Sequence, residues 1–375
     1  MTQQLVRAAV IGLGRMGSTF DDETGTYGRW QPPHAHTACY LAVPEVKLVA
    51  GADPHPEQRA DYIGKWDFDA AHIYADYREM LERERPEIVS ICTSAKPRAS
   101  ILLDVVAANT GVKAIWAEKP LSLSLAEADQ MVGACRRAGI LLAVGASRCW
   151  DAIYNRMREL IDRGEIGQVL QVNGFGNCML SHNGSHLLTL VNYLAGGRCT
   201  WVFGHLASDE AAQGDDDFQG NGYLQYDNGV QGFIRSMPSG AAEWDFEVIG
   251  TQGRLRAVND GEDVEFWKLA ESTLPGRRRE PARQIFPRPL PMQTANVRTV
   301  LDLLEGLRTG KEPICNGVAG LHALEIAVAL RESHRRGGQR VELPLSDRSL
   351  RINSSETLRG DEPVLVRRRQ EAQRG

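Results

Sequence analysis

Between Leu5 and about Val144 the chain alternates short, continuously apolar runs with amphipathic stretches. The apolar runs predict strands at Val6–Ile11, Lys47–Ala52, Ile88–Thr93, Lys113–Ala117 and Leu141–Val144. Helical spacing between them predicts helices over Ala75–Glu84, Arg98–Asn109 and Leu125–Ala138. Ser124 stands as an N-cap with Glu127 three residues on as a capping box, and Gly139 follows as the C-cap. Strands that alternate with helices need crossover connections and therefore a parallel sheet. Its strands are covered on both faces and read apolar throughout, as these do.

After Trp150 the pattern changes. One helix, Ala152–Arg163, ends at Gly164, and strand-like runs then dominate: Val169–Phe175, Thr200–Leu206, Gly222–Tyr226, Val230–Ser236, Trp244–Ile249 and Arg254–Val258. Asp227-Asn228-Gly229 predicts a hairpin, because Asn-Gly accepts the positive φ of a tight turn. Sequential strands with short turns imply a mainly antiparallel sheet. Two helices follow, near Thr294–Arg308 and Gly320–Arg336, and from Asp347 the chain is polar and arginine-rich. The organisation expected is a nucleotide-binding domain over 1–146, an α+β substrate and oligomerisation domain over 147–345, and a loose tail over 346–375.

The bulk numbers narrow the class. The 375 residues, 42% hydrophobic and 24% charged, suit two globular domains. A net charge of −5 offers no general attraction to nucleic acid or to an anionic membrane, so neither is expected as a partner. Seven cysteines form no CxxC pair and sit mostly in apolar stretches, which points to reduced buried thiols. The polar start, Met1 to Arg7, leads straight into a strand, and no apolar run reaches the ~18 residues of a membrane span. A cytoplasmic protein is expected.

Gly12-Leu13-Gly14-Arg15-Met16-Gly17 follows the first strand directly. The first glycine permits the turn, the second lets the backbone approach a pyrophosphate, and the third lets the helix pack on the sheet. This turn, with its Arg15 and Met16, predicts a Rossmann-type, doubly wound dinucleotide site. Asp53 ends the second strand, where an acid accepts from ribose hydroxyls and repels a 2′-phosphate, so NAD is expected. Arg59 nearby keeps NADP possible. The glycines and Asp53 are far apart because Asp21 to Pro33 looks like an inserted loop. It carries Tyr27 and Trp30, with His34 and His36 beyond, and its start at the ligand edge suits a lid.

Glu118-Lys119-Pro120 follows the fourth strand, at the carboxyl edge where Rossmann ligands sit. With the glycine turn, Asp76 to Leu81, Thr93-Ser94, Leu160 to Gly167 and Glu325 to Ser333, the chain resembles the glucose–fructose oxidoreductase, inositol dehydrogenase and MocA-like family (Gfo/Idh/MocA) over nearly its whole length. The resemblance implies a large open antiparallel sheet in the second domain, homodimers or homotetramers built through it, and tightly held NAD or NADP. It implies that Lys119 hydrogen-bonds the oxygen of a substrate alcohol, with Glu118, Thr93, Ser94 and Arg98 along the cofactor. Arg98 stands where the family has histidine.

The second chemical group implied is His186, in His182-Asn183-Gly184-Ser185-His186, leading into a helix over Leu187–Leu194. Imidazole exchanges protons near neutral pH. Where the family has acids, this chain has His182 and Thr189. His182 and Asn183 are expected to shape the substrate pocket with Arg148 and Trp150, the latter by stacking on a sugar ring. His182 and His186 share zinc-like spacing, but no third ligand or H-E-x-x-H glutamate accompanies them, so no metal is expected. The function implied is NAD-dependent oxidation of a secondary alcohol on a sugar or cyclitol. A redox-cycling lyase or glycosidase, and a non-catalytic sugar sensor, are the alternatives.

Overall fold

The computed structural model describes residues 5–24, 31–236, 241 and 244–354. The chain forms two units. Among the described residues, one holds those up to Ser147 together with 293–321, and the other holds Arg148–Met292 with 322–354. A single boundary at residue 147 does not include this return of 293–321.

The first unit is a six-stranded parallel sheet built from β1 (Val6–Ile11), β2 (Val46–Ala52), β3 (Ile73–Tyr74), β4 (Ile88–Ile91), β5 (Ala114–Ala117) and β6 (Leu141–Val144). Their order is β3-β2-β1-β4-β5-β6, doubly wound about β1 and β4. In such sheets the crevice beyond the carboxyl ends of the two strands at the reversal receives ligands. Ala8, Ala9, Val10 and every residue of β5 are fully buried, which accounts for the unbroken apolar runs.

The crossovers carry α1 (Asp21–Thr24), α2 (His36–Leu41), α3 (Pro56–Trp66), α4 (Tyr77–Glu84), α5 (Ala95–Ala108) and α6 (Leu125–Ala138). Ser124 caps α6 by accepting from Glu127 N at 3.3 Å, and Gly139 ends it at φ +67°. Glu127 reaches back to the N–H of Leu123, one residue before the cap. The insertion in the first crossover is not a plain loop. A π-helical turn over Arg15–Thr19 and the short α1 lead into it, and Asp21 Oδ1 closes its base by accepting from the N–H groups of His34 (2.7 Å) and Ala35 (3.1 Å). Tyr27 and Trp30 lie outside the described residues.

The second unit opens with α7 (Ala152–Asp162), capped by Asp151, and continues through β7 (Val169–Gly176), α8 (Gly184–Ala195), β8 (Cys199–Leu206) and α9 (Asp209–Gln213). Then come β9 (Gly220–Tyr226), β10 (Gln231–Ser236), β11 (Trp244–Gly250), β12 (Gly253–Val258), β13 (Asp263–Glu271) and β14 (Arg279–Gln284). The helix α10 (Ala295–Thr309) belongs to the first unit, and α11 (Gly317–Arg335) and β15 (Val341–Glu342) end the described fold.

The nine strands of this sheet run β14-β13-β12-β11-β7-β10-β9-β8-β15, with β7–β10 the one parallel pair among antiparallel neighbours. The Asp227–Gly229 turn joins β9 to β10 with Gly229 at φ +85°. Strand β14, the outer edge of the sheet, escapes apolar patterning because it is rich in charge and carries Pro281, as solvent-facing edge strands tend to be. Strand β13, paired on both sides, buries Val264 and Phe266 in alternation. The helix α8 packs on β7 so closely that a Cβ at Gly174 would lie 2.6 Å from Val191.

Candidate active site

In the first unit, the glycine turn is dictated by contact distances. Gly12 has φ +90°, and a Cβ there would come within 3.0 Å of Cys92 C and Thr93 N. A Cβ on Gly17 would lie 2.0 Å from the Gly12 carbonyl oxygen, so only glycine fits where the π-turn crosses the strand end. The turn after β1 and the one after β4 are thereby adjacent. Expected strand residues Cys92 and Thr93 fall beyond Ile91, free for that turn.

Asp53 is wired into the glycine turn itself. Its Oδ2 accepts from Leu13 N at 2.9 Å and its Oδ1 from His55 N at 3.0 Å. Burial raises its carboxyl above the usual range, while those N–H groups, then the charges of His55 and Arg59, pull it back. Arg59 turns its guanidinium to the carbonyls of Asp53 and Pro54. Gln58, 1% exposed, has no protein partner at either amide atom, and its Oε1 lies 3.7 Å from where Gly14 would carry a Cβ. Thr93 Oγ1 is likewise buried without a protein partner. Arg15 pairs with Glu23 at 2.9 Å and covers the Phe20 ring.

The Glu118-Lys119-Pro120 segment leaves β5 with Glu118 buried and Lys119 half-buried. Glu118 Oε2 accepts from Lys119 N at 3.2 Å, and Oε1 lies 3.1 Å from His36 Nε2. Burial alone would raise the Glu118 carboxyl. The hydrogen bond from His36, then the charges of His36, Lys119 and Arg98, outweigh burial and hold it below its ordinary value. Burial lowers the His36 imidazole despite Glu118. Burial thus favours the neutral imidazole, donating from Nε2 to the Glu118 carboxylate.

Several expected roles change. His36 is fully buried in α2, not part of a lid, and His34 is buried too. Arg98 lies in the first turn of α5, 1% exposed, and donates to the carbonyl oxygens of Thr93 and Pro120. It ties together the two loops, where a place along the cofactor was expected. Ser94 occupies the N-cap position of α5 without a side-chain cap bond.

In the second unit, α8 starts three residues earlier than the apolar pattern implies, so His186 lies in its first turn and Asn183 at its N-cap position. The segment is held by Asp217, whose Oδ1 and Oδ2 accept from Ser181 N and His182 N, each at 2.8 Å. His182 is half-buried, Asn183 exposed and His186 buried, its ring edge-on to Trp244 at 6.2 Å. Thr189 Oγ1 donates to the carbonyl of Ser185 at 2.6 Å, satisfying itself within the helix. Arg148 is buried in a two-pronged bond to Asp260, both prongs 3.0 Å, with its guanidinium 3.8 Å from the Trp244 centroid. Trp150, 1% exposed, offers no open ring face for a sugar. Both side chains serve the core, where substrate contact was expected. Among the described residues no group of three or more His, Cys, Asp or Glu side chains could hold a metal.

Sequence reading missed Gln58, Ser90, Tyr40, Asp217 and Trp244. Ser90, a lone hydroxyl inside the apolar run Ile88-Val89-Ser90-Ile91, was the available signal for a buried polar partner.

A model of the Gfo/Idh/MocA oxidoreductase family, described as its NAD-binding Rossmann fold, matches residues 6–146, and the model of its C-terminal α/β domain matches 172–343. This chain belongs to that family. It is 28% identical over 356 residues to the scyllo-inositol 2-dehydrogenase (NAD(+)) of Bacillus subtilis (strain 168), covering 88% of this chain and 95% of the relative. Among solved structures, the aldose-aldose oxidoreductase from Caulobacter crescentus, complexed with glycerol, has a TM-score of 0.72 at 20% identity, covering 91% of this chain and all of that one. An inositol dehydrogenase homolog from Azotobacter vinelandii, complexed with NADH and myo-inositol, has a TM-score of 0.68 at 17% identity, covering 90% and 98%. These two show the fold.

Proposed function

We propose that this oxidoreductase moves a hydride between a secondary alcohol of a cyclitol or sugar and NAD. The observation that carries it is Lys119, half-buried at the carboxyl end of β5 and backed by the buried carboxylate of Glu118. The substrate class is taken from the scyllo-inositol dehydrogenase relative.

The residues fit a dinucleotide. The glycine turn admits close backbone approach, Asp53 offers carboxylate acceptors to a ribose, and Gln58 and Thr93 hold polar atoms without protein partners beside that turn. When bound, the nicotinamide supplies the hydride acceptor. Lys119 Nζ, in its uncharged form, would accept the proton of the substrate hydroxyl as the hydride leaves the carbon, and the ammonium so formed would donate to the new carbonyl oxygen. Glu118 holds the Lys119 main chain through its N–H. In the second unit His186 is the proton-handling group, and His182 and Asn183 recognise substrate hydroxyls.

The exposed aromatic row of the second sheet is the homo-oligomer surface in this reading. Trp201 stacks on Tyr223 at 5.1 Å, and Phe203 and Phe233 stand about two-fifths exposed. Among the described residues no helix is long and apolar enough to cross a membrane, and the cytoplasm is the compartment proposed.

The test is a panel of cyclitols and sugars with NAD, followed by absorbance. A lasting rise in NADH in proportion to ketone supports the proposal. Product without net NADH identifies a redox-cycling lyase or glycosidase, and binding without conversion identifies a sensor. Either result overturns the proposal.

A further inference from the structure

The carboxylate behind Lys119 ends a hydrogen-bond chain in which every proton has a direction. A carboxylate only accepts, so His36 Nε2 carries the proton donated to Glu118 Oε1. In the neutral ring that burial favours, His36 Nδ1 is the acceptor, and Ser90 Oγ, at 2.8 Å, donates to it. With its proton so used, Ser90 Oγ accepts from Tyr40 OH at 2.7 Å. On its other oxygen, Glu118 accepts from the Lys119 N–H.

The surroundings leave this chain no slack. His36, Ser90 and Tyr40 are all fully buried. Trp116 stacks on the His36 ring at 3.4 Å, and Tyr40 meets the same indole edge-on. Gly145 makes room for the carboxylate, since a Cβ there would lie 2.8 Å from Glu118 Oε1. Arg98 ties the other side of the loop through the Pro120 carbonyl. Three elements far apart in sequence, α2, β4 and the loop after β5, are thus joined at the residue preceding Lys119.

We propose that His36 is a positioning residue for Lys119: it anchors Glu118, and through Glu118 it sets where the lysine stands. The segment that closes the insertion is thereby bonded to the loop that carries the lysine. The kinetic part of this proposal rests on the dehydrogenase reading, and the anchoring part does not.

The experiment uses the full chain and the variants His36→Ala, His36→Gln and Tyr40→Phe. Hydrogen exchange is followed in peptides covering residues 117–121, with NAD affinity by calorimetry and turnover on whichever cyclitol the parent oxidises. His36→Ala is expected to speed exchange in that loop and to lower kcat by about 10- to 100-fold, the scale of a small misplacement of a reacting group. KM and the NAD Kd should stay within about threefold, a split that a general loss of packing does not produce. His36→Gln, whose amide still donates, should recover most of kcat. Tyr40→Phe, which opens no cavity, should show the same direction with smaller size, and it carries the test if His36→Ala does not fold. Unchanged loop exchange in the folded variants overturns the proposal, as does a kcat at the parent level. If the parent oxidises no alcohol, the dehydrogenase reading has failed and loop exchange alone decides the anchoring.

Discussion

The two units treat the polar side chains of their candidate site segments differently. In the first, Glu118 and Asp53 are buried, and each carboxylate oxygen has a named donor: His36 and Lys119 N for one, Leu13 N and His55 N for the other. In the second, His182 is half-buried and Asn183 exposed, and the firm bonds lie behind them, from Asp217 to the main chain. A charge removed from water must be fully partnered or it costs several kcal/mol, so the first arrangement tolerates little change. A segment held by its backbone leaves its side chains open to variation. Such a division suits a family with a constant dinucleotide chemistry and changing alcohols.

If that division is right, the largest effect belongs to Lys119. Lys119→Ala should lower kcat by about a thousandfold, within the usual range for a lost acid–base group, while the NAD Kd moves only a few fold. Stopped-flow and calorimetry check both numbers. Next is Gly17→Ala, where the new Cβ meets a carbonyl oxygen at 2.0 Å that the sheet holds in place. NAD binding should weaken by about 100-fold or more, and unchanged affinity would show that the turn does not hold the cofactor.

Two smaller effects probe the boundaries of the comparison. Asp53→Ser should narrow the preference for NAD over NADP by roughly tenfold to a hundredfold, the worth of about 1–3 kcal/mol of repulsion on a 2′-phosphate. Tighter binding of NADP by the parent protein contradicts the assignment. In the second unit, His182→Ala should raise KM by about tenfold with kcat little changed, the signature of lost ground-state binding. A loss confined to kcat would put chemistry in that segment and break the division.

The same contrast explains what the sequence made legible. The glycine turn, Asp53 and Glu118-Lys119-Pro120 are contiguous and sit at strand ends, so local spacing and resemblance reached them. His36 looked like part of a lid because its partner Glu118 is 82 residues away and an insertion separates it from the glycine turn. Arg148 and Trp150 carry polar tips that suggest a pocket, yet Asp260 and the core absorb them. In the second unit, β14 was missed because an edge strand faces water and need not alternate, whereas the alternation of Val264 and Phe266 in β13 was there to be read. Local chemistry is written in neighbouring residues, but the groups that hold it in place are written in tertiary contacts.

The smallest expected effect separates the buried histidine from its carboxylate by pH. His36 is held below its ordinary value by burial, so the folded chain refuses a proton that the unfolded chain accepts near pH 6.5. Its neutral form costs nothing above that pH, and stability falls as pH drops through about 6.5 toward the folded value. Glu118 is lowered as well, but its contribution is complete above about pH 4.3 and is lost only below it. Between pH 7.5 and 5.5, then, His36 titrates in the balance and Glu118 does not. Across that window His36 can remove up to about 1.4 kcal/mol from the stability of the parent protein. His36→Gln cannot titrate, so its urea midpoint should fall less between the two pH values. Equal slopes would mean that His36 is not kept neutral in the fold. A steeper slope in the variant would mean that His36 is protonated as an ion pair with Glu118, and the directed chain from Tyr40 to the carboxylate would have to be drawn the other way.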